Sequence, residues 1–243
     1  MDYVPVIITL IVLAFLPWLL LFVYYSKLKG EHLKLFVIAG AGWLVALILR
    51  FPILYGTSFI LDLLTYYILA AILAGVFEES FRYILAKKLT LDERTNGEIL
   101  SFGIGWGIFE VWVLHTSSLT TLLILILMNI SIPGMPVIPP PEQLFISGMA
   151  GVVERWIAVS FHVIATLVIT KALLNKNYLW IAIILHSVLD LIAVLSSFIE
   201  LNIWLIELNL LITVMLIYIL IHIGFKLNVI ALFTKLEIPF KEV

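Results

Sequence analysis

Long apolar runs separated by short charged connections make up almost the whole chain. They cover Val4 to Tyr25, Leu35 to Leu54, Phe59 to Ala86, Ile99 to Ile130, Leu144 to Thr170, Tyr178 to Ile199 and Ile203 to Phe225. About 20 apolar residues carry a helix across the hydrocarbon core of a bilayer, so the pattern predicts about seven transmembrane helices. The segment Ile99 to Ile130 is longer than one crossing needs and is interrupted by His115, Thr116, Ser117 and Ser118; read as two, it would make eight. Lys and Arg collect in short cytoplasmic loops. Counting that segment once puts Lys27, Lys29 and Lys34, then Lys87, Lys88 and Arg94, then Lys171 and Lys176, then Lys226 and Lys235 all on one side. The expectation is therefore an all-α polytopic bundle of seven crossings, N-terminus outside and C-terminus cytoplasmic, with Leu119 to Ile130 as a helix end or partly inserted extension.

No second domain or internal repeat is visible, so residues 1–243 read as one integral membrane domain. Val4 to Tyr25 lacks the basic start and small-residue cleavage site of a secretory signal and reads as a retained first crossing. The stretch Ser131 to Glu142 holds five prolines and Gly134, which favour an extended connection. After Phe225, residues 226–243 mix spaced apolar residues with Lys, as suits an interfacial tail on the inner membrane surface. Gly40, Gly42, Gly103, Gly105, Gly107, Gly148 and Gly151 lie inside apolar helices, where small residues let backbones approach closely.

Composition sharpens this picture. The chain is 63% hydrophobic and 12% charged, against roughly 45 to 50% and 25% in soluble domains, which excludes disorder and a soluble enzyme. Fourteen Lys plus Arg against sixteen Asp plus Glu give a net charge of -2 and no basic block for nucleic acid. The absence of cysteine excludes disulfides, thiolate metal sites and thiol nucleophiles. Chemistry must come from carboxylates, imidazoles, hydroxyls or a bound metal.

Nine ionisable groups fall within the apolar runs: Glu78, Glu79, Arg82, Glu110, Glu154, Arg155, His162, His186 and Asp190. Each costs about 2.5 to 3.5 kcal/mol at mid-membrane and is a functional candidate by default. Asp62, Arg50, Glu200 and Glu207 lie near predicted helix ends, can reach the interface, and are assigned no role. Helical spacing lets Glu78 or Glu79 meet Arg82 and lets His186 meet Asp190, while Glu154 and His162 face roughly one way. Counted from the basic helix ends, Glu78, His162 and His186 lie ten, nine and ten residues deep, about 14 to 15 Å into the membrane; Glu110 and Asp190 come out near 18 and 21 Å. Four helices thus deliver acids and imidazoles to one level. The simplest arrangement pairs Arg82 with Glu79 and Arg155 with Glu154, leaving Glu78, Glu110, Asp190, His162 and His186 to share protons, water or a metal.

EESFR (Glu78 to Arg82), GWGIFE (Gly105 to Glu110), ERWIAVSFH (Glu154 to His162) and HSVLD (His186 to Asp190) occur in an order that resembles the PrsW-like and YhfC-like membrane peptidases of the CAAX-prenyl protease and Abi superfamily. The likeness spans about residues 59–199. It implies an intramembrane endopeptidase of the cell membrane. Glu78 would act with His162 to activate water against a peptide carbonyl, and His186 with Asp190 would stabilise the oxyanion. Glu79 and Arg82 would hold the site together, Glu110 would take the second-motif position, and Glu154 with Arg155 would support it. The substrate implied is a membrane-embedded or membrane-anchored peptide. Trp106, where YhfC-like chains usually carry His, leans toward PrsW; Arg82 in place of Lys leans toward YhfC. An Asp at position 190 replaces the Asn of the CAAX proteases proper.

There is no H-E-x-x-H motif. A metal-free, glutamic-type mechanism with no cofactor is favoured, although His162, His186 and Glu78 have the chemistry to bind zinc. Three other readings stay open. One is a catalytically silent scaffold resembling the scaffold subunit of gamma-secretase; another is a bis-His haem protein ligated by His162 and His186; the last is a proton-coupled carrier. Oligomeric state is not legible.

Overall fold

A computed structural model describes residues 2–130 and 137–240. Among these residues the chain is helical without strands. Seven long helices run α1 (Tyr3–Ser26), α2 (Gly30–Thr57), α3 (Leu63–Lys88), α4 (Asn96–Leu127), α5 (Pro141–Leu174), α6 (Asn177–Phe198) and α7 (Ile203–Gly224). Six of them are long and apolar enough to cross a membrane. The seventh, α3, is as long at 26 residues, but Glu78, Glu79 and Arg82 interrupt its C-terminal half, all turned inward and buried. The protein is a multi-pass integral membrane protein.

The segment of ambiguous length folds from Ile99 to Leu127 within one continuous helix, with Met128 to Ile130 beyond its end. Its N-terminus is fixed by a capping box, in which the Thr95 hydroxyl accepts from the Glu98 amide and the Glu98 carboxylate accepts from the Thr95 amide. At Val111–Thr116 it widens into a π-turn, and the hydroxyls of Ser117 and Ser118 bond back to the carbonyls of Val113 and Leu114. The polar interruption is thereby absorbed without ending the helix. The start of α3 is set by Asp62, whose carboxylate accepts from the amide and hydroxyl of Thr65. Those two bonds hold its pKa below the usual carboxylate value.

Close backbone approach brings the polar helices together. Seating a Cβ on Gly105 of α4 would put it 2.2 Å from the Phe36 carbonyl oxygen of α2. One on Gly75 of α3 would lie 2.3 Å from the Ser187 hydroxyl and 2.7 Å from the Ile183 carbonyl of α6. Glycine is thus required at both crossings. α5 runs through the middle, its C-terminal half from Phe161 to Thr170 buried throughout.

One expectation changes. Pro141 and Glu142 open α5, since a proline suits the first turn of a helix; of the proline-rich stretch, residues 131–136 lie outside the described residues. The tail docks on protein. Apart from the single turn Ala231–Thr234, it packs irregularly on the end of the bundle, burying Leu227, Val229 and Leu232. It pairs with the start of α4 through a bridge between Thr95 and Pro239 and bonds from the amides of Asn96 and Gly97 to the carbonyls of Ile238 and Leu236. Paired backbone satisfies amides that begin α4, a long-range match that amphipathic spacing does not reveal.

Candidate active site

Five carboxylates, three arginines and two imidazoles from α2, α3, α4, α5 and α6 meet inside the bundle. A cavity of about 170 Å³ is lined by Arg50, Glu78, Glu110, His162, His186 and Asp190 among others. Its floor is the first polar turn of α3. Arg82 is wholly buried, pairs with Glu79 at 3.3 Å, and lies 4.5 Å over the ring of Trp106.

The two imidazoles are held in opposite senses. His186 Nδ1 donates to Glu79 Oε1 at 2.7 Å, so in the neutral ring Nε2 carries the lone pair. That nitrogen faces Glu78 Oε2 at 4.0 Å and Asp190 Oδ2 at 3.7 Å, a gap of the kind a proton, water or cation occupies. His162 Nδ1 instead accepts from Arg82 at 2.8 Å. Arginine has no acceptor, so the proton of His162 sits on Nε2, which donates to Glu110 Oε2 at 2.5 Å. The rings lie edge to face with centroids 5.6 Å apart, and Phe161 packs against both. This leaves no slot for a haem plane between them.

The carboxylates are more fully paired than charge counting predicts. Arg82 with Glu79 and Arg155 with Glu154 form as expected. Glu78 is not left over, since its Oε1 accepts from Arg50 at 3.0 Å and its Oε2 from the Trp106 indole at 3.3 Å. Arg155 bridges Glu154 and Glu110, the latter at 2.9 Å, so Glu110 links two helices and contacts His162 directly. Glu78 and His162 do not touch, yet ligand atoms of Glu78, Glu110 and His162 all lie within 4.8 Å of one another.

Two groups set aside by their position near helix ends prove to be interior. Arg50 is seven residues inside α2, which continues through Pro52 to Thr57, so its guanidinium cannot snorkel out and turns to Glu78 instead. Glu207 of α7 is only 5% exposed, with Glu154 and Arg155 as its charged neighbours. Asp62 and Glu200 stay at the surface as expected.

A model of the YhfC intramembrane metalloprotease family matches residues 11–210. The chain belongs to that family. Among curated proteins no relative matches it. The match extends well beyond residues 59–199 on both sides, taking in Arg50 and Glu207. Trp106, the departure that leaned toward PrsW, stands in this YhfC chain as a donor to Glu78 and a platform for Arg82.

The family's description is that of metalloproteases, against the metal-free mechanism favoured from the motifs. The residues fit a metal. Zinc is bound at about 2.0 to 2.2 Å by nitrogen and oxygen, and the ligand atoms of Glu78, Glu110 and His162, all within 4.8 Å of one another, form a set that can close onto such an ion. His186 adds a feature that metal ligands share, a second nitrogen donating to a carboxylate, here Glu79. His162 shows the opposite arrangement, because Arg82 can only donate to its Nδ1.

Proposed function

We propose that this chain is an intramembrane endopeptidase that hydrolyses a peptide bond of a membrane-embedded or membrane-anchored substrate in the Glu78, His162 and His186 cavity. It acts in the cell membrane with its N-terminus outside. The observation that supports this best is the convergence of Glu78, Glu110, His162, His186 and Asp190 on one cavity, in a chain of a protease family.

Glu78 and Glu110 would hold a divalent metal with His162, whose ligand atom lies within 4.8 Å of theirs, or with His186, whose Nε2 faces Glu78 at 4.0 Å. Such an ion, when bound, polarises a carbonyl and acidifies water. The protein's own groups divide the remaining work. Where no ion is bound, Glu78 takes the proton from the attacking water as general base. Arg50 and the Trp106 indole fix both of its oxygens and so aim it. His162, kept as an Nε2 donor by Arg82, supplies a hydrogen bond to the developing oxyanion. The proton that Glu78 took passes to the leaving amine, and Asp190, beside His186 Nε2, is placed to carry it.

Glu78→Gln tests this on a membrane-tethered reporter expressed with the protein. Cleavage should fall by about 10²- to 10⁴-fold, the share of a positioned general base. Unchanged cleavage would overturn the peptidase reading in favour of a silent scaffold. Metal analysis of the purified protein should find about one equivalent of divalent metal. Loss of cleavage in chelator, with recovery on adding zinc, would bear out the metal-dependent form; full activity at zero metal would return the mechanism to a glutamic one.

A further inference from the structure

The end of the bundle that carries the tail holds a second polar cavity, lined by no residue of the four motifs. It measures about 210 Å³ and is lined by Asn96 of α4, Lys171 in the last turn of α5, and Lys226, Asn228, Leu227 and Phe240 of the tail, with Leu167 and Leu174 behind. Two lysines therefore line one space across the seam between tail and bundle. No acidic residue lines it. Among the described residues neither lysine forms an ion pair, whereas Lys29, Lys34 and Arg94 at the same end are each matched to a glutamate. Like charges brought together repel one another across the seam. The backbone at Lys226 moreover takes the left-handed conformation, φ 54°, which a side chain of this type rarely adopts.

The lining identifies what would relieve this. Lysines and asparagines offer donors to phosphate oxygens, while Leu167, Leu174, Leu227 and Phe240 form an apolar wall beside them. A ligand that is anionic at one end and apolar at the other matches both surfaces, and clusters of basic residues at a helix end attract anionic lipid headgroups. We propose that this cavity binds the phosphate of an anionic phospholipid, whose glycerol and first acyl carbons lie on the leucine and phenylalanine wall. The lipid then clamps residues 226–240 onto the bundle. Because the tail pairs with the start of α4, the clamp also steadies the helix that carries Trp106 and Glu110.

The test needs no catalytic assay and does not depend on the peptidase reading. The full-length protein is placed in nanodiscs of phosphatidylcholine with or without phosphatidylglycerol. Lipid retention is read by native mass spectrometry, and amide exchange is read over residues 226–240. The wild type should retain one phosphatidylglycerol and slow exchange of the tail only when that lipid is present. Lys171→Gln with Lys226→Gln should weaken retention about thirty-fold, two surface lysines' worth of attraction to an anionic lipid, and Lys171→Arg with Lys226→Arg should restore it. Lys87→Gln with Lys88→Gln removes the same charge from the end of α3 and should leave retention unchanged. Equal loss in that control pair, equal retention of phosphatidylcholine, or complete displacement of the lipid by millimolar inorganic phosphate would each overturn the proposal.

Discussion

Arg82 can only donate, so its contact with Nδ1 of His162 decides which face that imidazole turns to the cavity, while Glu79 decides the opposite for His186. One buried ion pair thus presets two histidines, a role that residue spacing alone does not expose. The motif spacing does predict that Arg82 meets Glu79 and that His186 meets Asp190, because both pairs lie within one turn of a single helix. Partners from other helices, Arg50 on Glu78 and Glu110 on His162, depend on how the helices are rotated, which no local spacing encodes. Arg82→Lys keeps the charge but loses the planar fork that reaches both Glu79 and His162. Reporter cleavage should fall about 10²-fold with KM little changed, and the ¹⁵N spectrum of His162 should show mixed tautomers. An unchanged spectrum would show that Arg82 does not set the tautomer. Arg50→Gln leaves Glu78 charged and half abandoned in a buried site, a loss of about 3 to 5 kcal/mol. Thermal unfolding should then show most of that stability recovered in the double variant Arg50→Gln with Glu78→Gln, since neutralising the carboxylate removes the unpaired charge.

At the scale of elements, the apolar runs marked the helices well because a helix in lipid must satisfy its own backbone and therefore declares its length in composition. Ends were less legible. Pro52 and the polar Gly56 and Thr57 disguise the last turns of α2, which is why Arg50 read as terminal, and the His115 to Ser118 interruption read as a break where the helix widens instead. Helix crossings rest on particular glycines. Gly105→Ala should cost about 1 to 3 kcal/mol, the range for overpacking a close contact, because the new methyl meets backbone at Phe36 that cannot swing aside. Gly56→Ala has nothing within 4 Å of its Cβ and should be neutral or stabilising by up to about 1 kcal/mol. Unfolding midpoints of the two variants in one detergent check the contrast, and equal shifts would mean that the Phe36 crossing is looser than drawn.

For the whole molecule, the ends of α1, α3 and α5 and the starts of α2, α4 and α6 gather at the pole where the tail docks. There Lys29 pairs with Glu237, Tyr25 contacts Phe233 and Tyr178 contacts Phe225. Every basic cluster used to count crossings lies at this pole, so seven alternating helices account for the charge pattern, whereas eight would have carried Lys171 and Lys176 to the other end. Positive charge near helix ends is held on the cytoplasmic side, which is the ground for proposing that this pole is the inner one. The chain's lack of cysteine makes the assignment directly measurable. Leu28→Cys introduces a thiol at a residue 60% exposed at the basic pole, and Ile60→Cys one at a residue 81% exposed at the opposite pole. In intact cells a membrane-impermeant maleimide should label Ile60→Cys and spare Leu28→Cys until the membrane is permeabilised. The reverse pattern would invert the protein in the bilayer, and with it the side from which the tail cavity meets its lipid.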